Sequence, residues 1–406
     1  MIYFANPKSE YVFLKKKIDT KIKKILNSNS YILGEEVKTF EKNFSNYLGI
    51  KYSIGVSSGT DALILSLKSL NIKPGDEIIT TSHTAYATIA AIVEVGGIPK
   101  FVDIKETDFT IDVSKVTSII NKKTRAIIAV HIYGNPAEID DLKKKSKKNK
   151  IFLIEDCSQA HGAEYKNKKV GTFGDISCFS LYPTKNLGGF GDGGIISTNN
   201  KSIYKKVRLL REYGWKEKNK GAIHGINNRL DEIQAGILNV KIKFLDKFNK
   251  KRKFIAEKYL KQIKSKHLLL PRVYGHKKSV YHLFVVRINK NLRSKFINYL
   301  KTKNITCGIH YPIPNHRQKP YLKFKSNLLI TEKISKEFIA LPCSTNLEND
   351  KQEWSRAAKT LSRGTELLDT AGDDNRMAAE LRKQLKKARQ QRKLGGRKAR
   401  AAARDL

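Results

Sequence analysis

The chain is short of acid, of cysteine and of long apolar runs. Only 38 Asp and Glu stand against 79 Lys and Arg, a formal charge of +41. The four cysteines (Cys157, Cys178, Cys307 and Cys343) lie far apart. That spacing fits neither a metal site nor a disulfide framework, so no metal is expected. No stretch reaches the roughly twenty apolar residues of a membrane span. The first residues are interrupted by Asn6, Pro7, Lys8 and Glu10, which argues against a signal peptide. No internal repeat is evident. These absences predict a soluble, cytoplasmic protein without a membrane partner.

What is present is enough apolar residue for a real interior, 40% of 406 residues, and a length that favours two domains. Short apolar runs at residues 78–81, 99–102, 126–130, 152–155, 177–180 and 194–197 read as buried strands. Helical patterns fall between them at 59–70, 86–95, 112–120 and 139–147. This alternation predicts an α/β fold with a mostly parallel central sheet. Residues 228–261 read as one long helical stretch. Strands at 280–288 and 339–342 around a helix at 292–302 predict a smaller α+β domain. We therefore divide the chain into a large domain with an N-terminal arm (1–245), a small C-terminal domain (246–350) and a basic helical tail (351–406). The tail is set apart by composition: residues 354–406 hold nine Arg, as many as residues 1–353, with ten Ala and no Ile. Such a segment builds no core of its own.

Three segments carry chemistry. In 154–162 (Ile-Glu-Asp-Cys-Ser-Gln-Ala-His-Gly), Asp156 ends a predicted strand, where a carboxylate faces the ligand crevice or caps a helix. In 179–194, Lys185 follows a strand and Pro183 and precedes a glycine-rich run from Gly188 to Gly194. Its small and apolar neighbours would desolvate it and make it a better amine nucleophile. In 55–63, a turn of small hydroxyl residues enters a helix, an arrangement that suits a phosphate or serves simply as an N-cap.

In this order the three segments resemble the DegT/StrS family of sugar aminotransferases, which share the fold of aspartate aminotransferase (fold type I). The likeness runs over residues 6–350. Segments at 31–37, 74–79, 131–134, 225–235 and 309–314 agree with it. The resemblance implies pyridoxal phosphate as cofactor, with Lys185 holding it and Asp156 pairing with its pyridine nitrogen. It implies Gln159 near the ring hydroxyl, and Gly59, Thr60 and Ser180 around the phosphate. It implies that Asn227 reaches that phosphate from a neighbouring subunit, hence a homodimer with shared active sites. Tyr182, His310 and Tyr311 match positions lining the sugar pocket. One departure stands out. Where the family often carries an aromatic that stacks on the cofactor, this chain has Ala85, leaving His83 or Tyr86 to stack, or both merely to pack the helix start.

The implied reaction is transamination of a nucleotide-linked keto sugar, leaning to carbon 3 of a dTDP-linked 6-deoxyhexose. Glutamate is the expected donor, and the setting amino-sugar and polysaccharide biosynthesis. A histidine at position 185 would have favoured dehydration instead. The basic surface has two readings, a solvated face that also steers an anionic substrate, or nucleic-acid binding confined to the tail. A catalytically idle relative with a regulatory role is the remaining alternative.

Overall fold

The computed structural model describes residues 1–324 and 326–345, together with Thr360, Arg363 and Gly364. The rest of the tail lies outside the described residues. Seven strands form the central sheet: β1 (Tyr52–Val56), β2 (Glu77–Thr81), β3 (Ile98–Val102), β4 (Thr124–Val130), β5 (Phe152–Asp156), β6 (Ile176–Ser180) and β7 (Gly194–Thr198). Their order is β1-β7-β6-β5-β4-β2-β3. All run parallel except β7, which is antiparallel to both its neighbours.

The strands are buried on both faces, and period-two alternation sends successive side chains into different cores. Ile78, Ile128, Ile154 and Cys178 enter one cluster with Leu63 and Ile92. Their chain neighbours Ile79, Ile127, Leu153 and Phe179 enter another with Phe40, Phe44 and Leu142. Outside them α1 (Pro7–Leu26) packs on α7 (Glu232–Lys241) in a small cluster of its own, and the two sheet clusters are covered by α2 (Glu35–Leu48), α3 (Gly59–Ser69), α4 (Tyr86–Glu94), α5 (Ile139–Lys148), α6 (Lys201–Leu210) and α7. Local signals set their ends. Pro7 sits in the first turn of α1, where its missing N–H costs nothing. Gly49, at φ +77°, closes α2 in the left-handed region, which glycine alone enters freely.

Two helical expectations change form. Residues 112–120 make two short 3-10 turns, Val113–Lys115 and Thr117–Ile119. The β-branched Val113, Val116 and Thr117 weaken a full helix there. The stretch 228–261 is broken into α7, a 3-10 turn at Ile242–Phe244, and α8 (Leu245–Gln262). The N-terminal helices α1 and α2 and the strand β1 carried no separate expectation.

Beyond α8 a second sheet joins β8 (Leu268–Leu269), β9 (Phe284–Ile288) and β10 (Phe338–Leu341) in antiparallel pairs. Phe284, Ile339 and Leu341 pack there with Tyr259 of α8 and with Phe296 and Leu300 of α9 (Lys290–Thr302). Gly364 is buried beside this helix, since a Cβ on it would fall 2.6 Å from Tyr299.

Buried polar groups join the chain beyond α8 to the loops of the large domain. Lys277 pairs with Asp108 at 2.6 Å and Glu138 at 2.8 Å. Asp103, just past β3, accepts from the N–H groups of Ile330 and Thr331 at 2.9 Å each and from the Thr331 hydroxyl at 2.7 Å. It thereby caps α10 (Leu329–Ser335) from across the molecule. Asp103→Ala should orphan those three donors and lower stability by about 1–3 kcal/mol. A urea melt with an unchanged midpoint would show that water replaces the carboxylate at no cost.

Candidate active site

The parallel strands deliver their carboxyl ends to one edge of the sheet, where open α/β sheets bind ligands. Asp156 ends β5, Ser180 ends β6, His131 follows β4, and Ser57 and Ser58 follow β1. A cleft of ≈ 220 Å³ opens at this edge, lined by Gly59, Thr60, Asp156, Gln159, Ser180, Tyr182 and Lys185, among others. Seven of the residues singled out from the sequence are thus brought together.

Its floor is the start of α3. Ser58 caps the helix by accepting from Asp61 N at 3.0 Å, while Ser57 and Ser58 each donate a hydroxyl to the Asp61 carboxylate at 2.6 Å. The N–H groups of Gly59 and Thr60 lie in the first helical turn, ahead of the intrahelical ladder. A Cβ at Gly59 would fall 2.6 Å from the Ser180 Cβ. Only glycine therefore lets the helix start close on the end of β6, and the result is an anion cradle.

Asp156 is buried. Its two oxygens accept from the Thr88 hydroxyl at 2.9 Å and from Ser158 N at 3.1 Å. Thr88 in turn shares a hydroxyl contact with Thr84 at 2.8 Å. Two acceptors with two donors leave lone pairs for a further N–H. Gln159 is held at both ends of its amide: Oε1 accepts from Tyr133 N at 2.7 Å, and Nε2 donates to the Tyr311 hydroxyl at 3.0 Å.

Lys185 sits in the loop after β6, its ammonium pulled down to about 8 by desolvation and partly restored by the Asp156 charge. The loop is pinned from behind by Lys241, fully buried, which donates to Gly188 O at 2.6 Å and pairs with Glu10 at 2.8 Å. Gln234 holds it again by accepting from Phe190 N at 2.8 Å.

Other predicted residues stand elsewhere. Ala85 lines the cleft, and neither His83 nor Tyr86 does. His83 is buried and stacks on Phe338, with centroids 4.6 Å apart. Burial holds its imidazole down at about 3. The Tyr133 hydroxyl donates to His310 O, so the His83 Nε2 beside it at 2.6 Å is the donor of that pair. Tyr86 is exposed and leans on Tyr321, with centroids 5.0 Å apart. Both therefore pack their own surroundings. His310 lies outside this cleft, stacked on Phe4 at 5.2 Å and lining a second, narrower cleft that Lys185 also borders. Asn227 is exposed and apart from both clefts, its side chain accepting from Arg229 Nε at 2.8 Å.

Sequence reasoning passed over Thr88, His131 and Asp192. Thr88 lies 68 residues from the carboxylate it serves, and nothing local marks that link. His131, Glu155 and Cys157 place donor atoms within 4.8 Å of one another. The Glu155 oxygens are nonetheless taken by the N–H groups of Gly171, Phe173 and Gly174 at 2.7–2.8 Å and by His131 Nε2 at 3.1 Å. His131 Nδ1 is taken by Ala137 N at 3.0 Å. The cluster is a clamp on the 171–174 turn whose lone pairs are already spent.

The donor set fits pyridoxal phosphate: a glycine-built anion cradle, a buried carboxylate with acceptor capacity, and a desolvated lysine on one cleft. Comparison with known proteins agrees. A transaminase of Aneurinibacillus thermoaerophilus, dTDP-3-amino-3,6-dideoxy-alpha-D-galactopyranose transaminase, is 41% identical over 354 residues, covering 87% of this chain and 97% of that one. A Streptomyces venezuelae relative, dTDP-3-amino-3,4,6-trideoxy-alpha-D-glucose transaminase, is 36% identical, covering 85% and 92%. The solved structure of S. venezuelae DesV in complex with a ketimine intermediate superposes with a TM-score of 0.87 at 34% identity, covering 90% of this chain and 98% of that one. With residues 13–355 matching the family as a whole, the chain belongs to the DegT/DnrJ/EryC1/StrS aminotransferases, enzymes that depend on pyridoxal phosphate.

Proposed function

We propose that the protein transfers an amino group to carbon 3 of a dTDP-linked keto-6-deoxyhexose, with glutamate as donor. The setting is the cytoplasmic making of amino sugars, including those of lipopolysaccharide. The observation that carries the reading is Lys185, desolvated and within reach of the Asp156 charge on a cleft whose floor is the α3 cradle. The nucleotide-sugar transaminases among its relatives support the choice of acceptor.

Pyridoxal phosphate, when bound, supplies the electron sink and carries the nitrogen between donor and acceptor. Gly59, Thr60 and Ser180 would bind its phosphate, Asp156 its ring nitrogen and Gln159 its ring hydroxyl. Lys185 would hold it, then take and return a proton at the donor's α-carbon, a task suited to an amine that is largely neutral just above pH 8. Thr88 keeps the Asp156 carboxylate aimed by donating to one oxygen. Tyr182, which lines the cleft and is half exposed, would meet the sugar. Tyr311 supports Gln159 by accepting from its Nε2.

The two-domain division at residue 245 is supported by the second sheet, one face of which packs in its own cluster with α8 and α9, while Val285, Phe338 and Ala340 of its other face join the large-domain core. A second copy of the chain is the occupant we assign to the exposed apolar residues Val12, Phe13, Ile223 and Ile226. By the same family resemblance Asn227, which follows directly on Ile226, would reach the partner's cofactor phosphate in that dimer.

Lys185→Ala should abolish transamination and the visible absorbance of bound cofactor while leaving the circular dichroism unchanged. Turnover surviving in that variant would remove the central assignment. Uptake of pyridoxal phosphate by the apoprotein requires the neutral amine. Its rate should rise as pH passes through about 8 and then level. A rate still climbing through the range of an ordinary lysine would mean that the amine is solvated. Mixing Lys185→Ala with Asn227→Ala protomers should restore activity, since hybrids gather both defects in one site and free the other. Exchange of subunits without recovery would count against a shared site.

A further inference from the structure

Lys185 borders two clefts, and the narrower one has no role so far. Its space is ≈ 50 Å³, against ≈ 220 Å³ for the cofactor cleft. Arg252 of α8, Lys185, His282 and His310 line it. Among the described residues lining it, Glu10 is the only acid, and its charge is engaged by Lys241 at 2.8 Å.

Arg252 is 8% exposed and has no carboxylate partner among the described residues. Its Nη1 donates to Cys343 O at 2.8 Å, with His282 O at 3.5 Å, and its Nε has no partner. Opposite it, His310 Nδ1 is also buried without a partner. A guanidinium cannot shed its proton to escape burial as a lysine or histidine can. A buried, uncompensated cation is costly, and an orphan N–H adds to the cost. His282, buried beside Lys185, Arg252 and His310, is held well below the usual imidazole range by burial first and by those charges next. The cleft thus holds a buried guanidinium and the desolvated amine that must meet the amino donor on one lining, and the one acid among its described lining residues, Glu10, is already paired with Lys241.

We infer that this cleft receives a carboxylate of the amino donor, with Arg252 as the group that binds it. The inference rests on the reading of Lys185 given above. The planar fork of arginine matches a carboxylate, and the space suits one carboxylate end better than a nucleotide diphosphate, the other anion this enzyme would meet. The arrangement would also let donor and acceptor present different ends to different walls while sharing one amine.

The test uses the full-length protein reconstituted with pyridoxal phosphate. Succinate, a dicarboxylate without an amino group, should shift the visible band and compete with glutamate, and dTDP should not displace it. Arg252→Lys should raise the KM for glutamate roughly ten- to hundredfold, as expected on weakening a charged hydrogen bond. The KM for the dTDP-linked 3-keto-6-deoxyhexose should stay within about twofold. Circular dichroism reports on folding, because Arg252 also supports the Cys343 carbonyl. If the variant fails to fold, the succinate titration of the unaltered protein decides alone. A normal band that succinate leaves unmoved, displacement of succinate by dTDP, or an unchanged KM for glutamate in a folded variant overturns the inference. Absence of the band on reconstitution overturns the cofactor reading itself, and this inference with it.

Discussion

The approach of α3 to the end of β6, made possible by two missing side chains, is the contact on which the site depends. The antiparallel strand β7 lies between β1 and β6, with Gly194 paired to Val56 on one side and to Ser180 on the other. The turn that leaves β1 must therefore cross the start of β7 to bring α3 to β6. A Cβ at Gly194 would fall 2.1 Å from Ser58 O, and one at Gly59 would strike Ser180. With both positions bare, the first turn of α3 settles against the sheet, and its dipole and open N–H groups face the same cleft as Asp156 and Lys185. Neither the charge nor the amine would be useful at a larger spacing.

Electrostatics in the cleft are arranged by opposition. Burial pushes Lys185 toward the neutral amine, and Asp156 pushes back, which leaves it titrating near 8. Hydroxyl and backbone donors stand in for water around the Asp156 carboxylate. The large excess of surface lysine contributes little at this range, since exposed charges are screened within about 8 Å at physiological salt. The tuning is local.

Much of this was legible in the sequence because it obeys local rules. Buried strands read as apolar runs, and Asp156, Gln159, Ser180 and Lys185 sit where strands end, so chain order alone places them on one edge. What was not legible depends on contacts between distant segments. The 228–261 stretch keeps its helical composition through the break at Ile242–Phe244, so composition does not reveal the turn. His83 and Tyr86 flank the helix start on which a stacking aromatic was sought. Their neighbours Phe338 and Tyr321 come from more than 230 residues away, and no local pattern announces that they are already engaged. Arg252 reads as one more cation on a basic helix. Only the fold shows that it is buried and that no acid among the described residues pairs with it.

Lys241 carries a consequence for anyone altering the start of the chain. Its ammonium is sealed inside the protein, neutralised by Glu10 from the first turn of α1, while its other hydrogen bond goes to the loop that carries Lys185. Shortening the chain past Glu10, or fusing a partner that unwinds the beginning of α1, would leave a buried cation with a carbonyl and no counter-charge. Water would then be drawn in beneath the glycine-rich loop. The amino terminus, remote from the chemistry in sequence, is in this sense part of the floor of the active site.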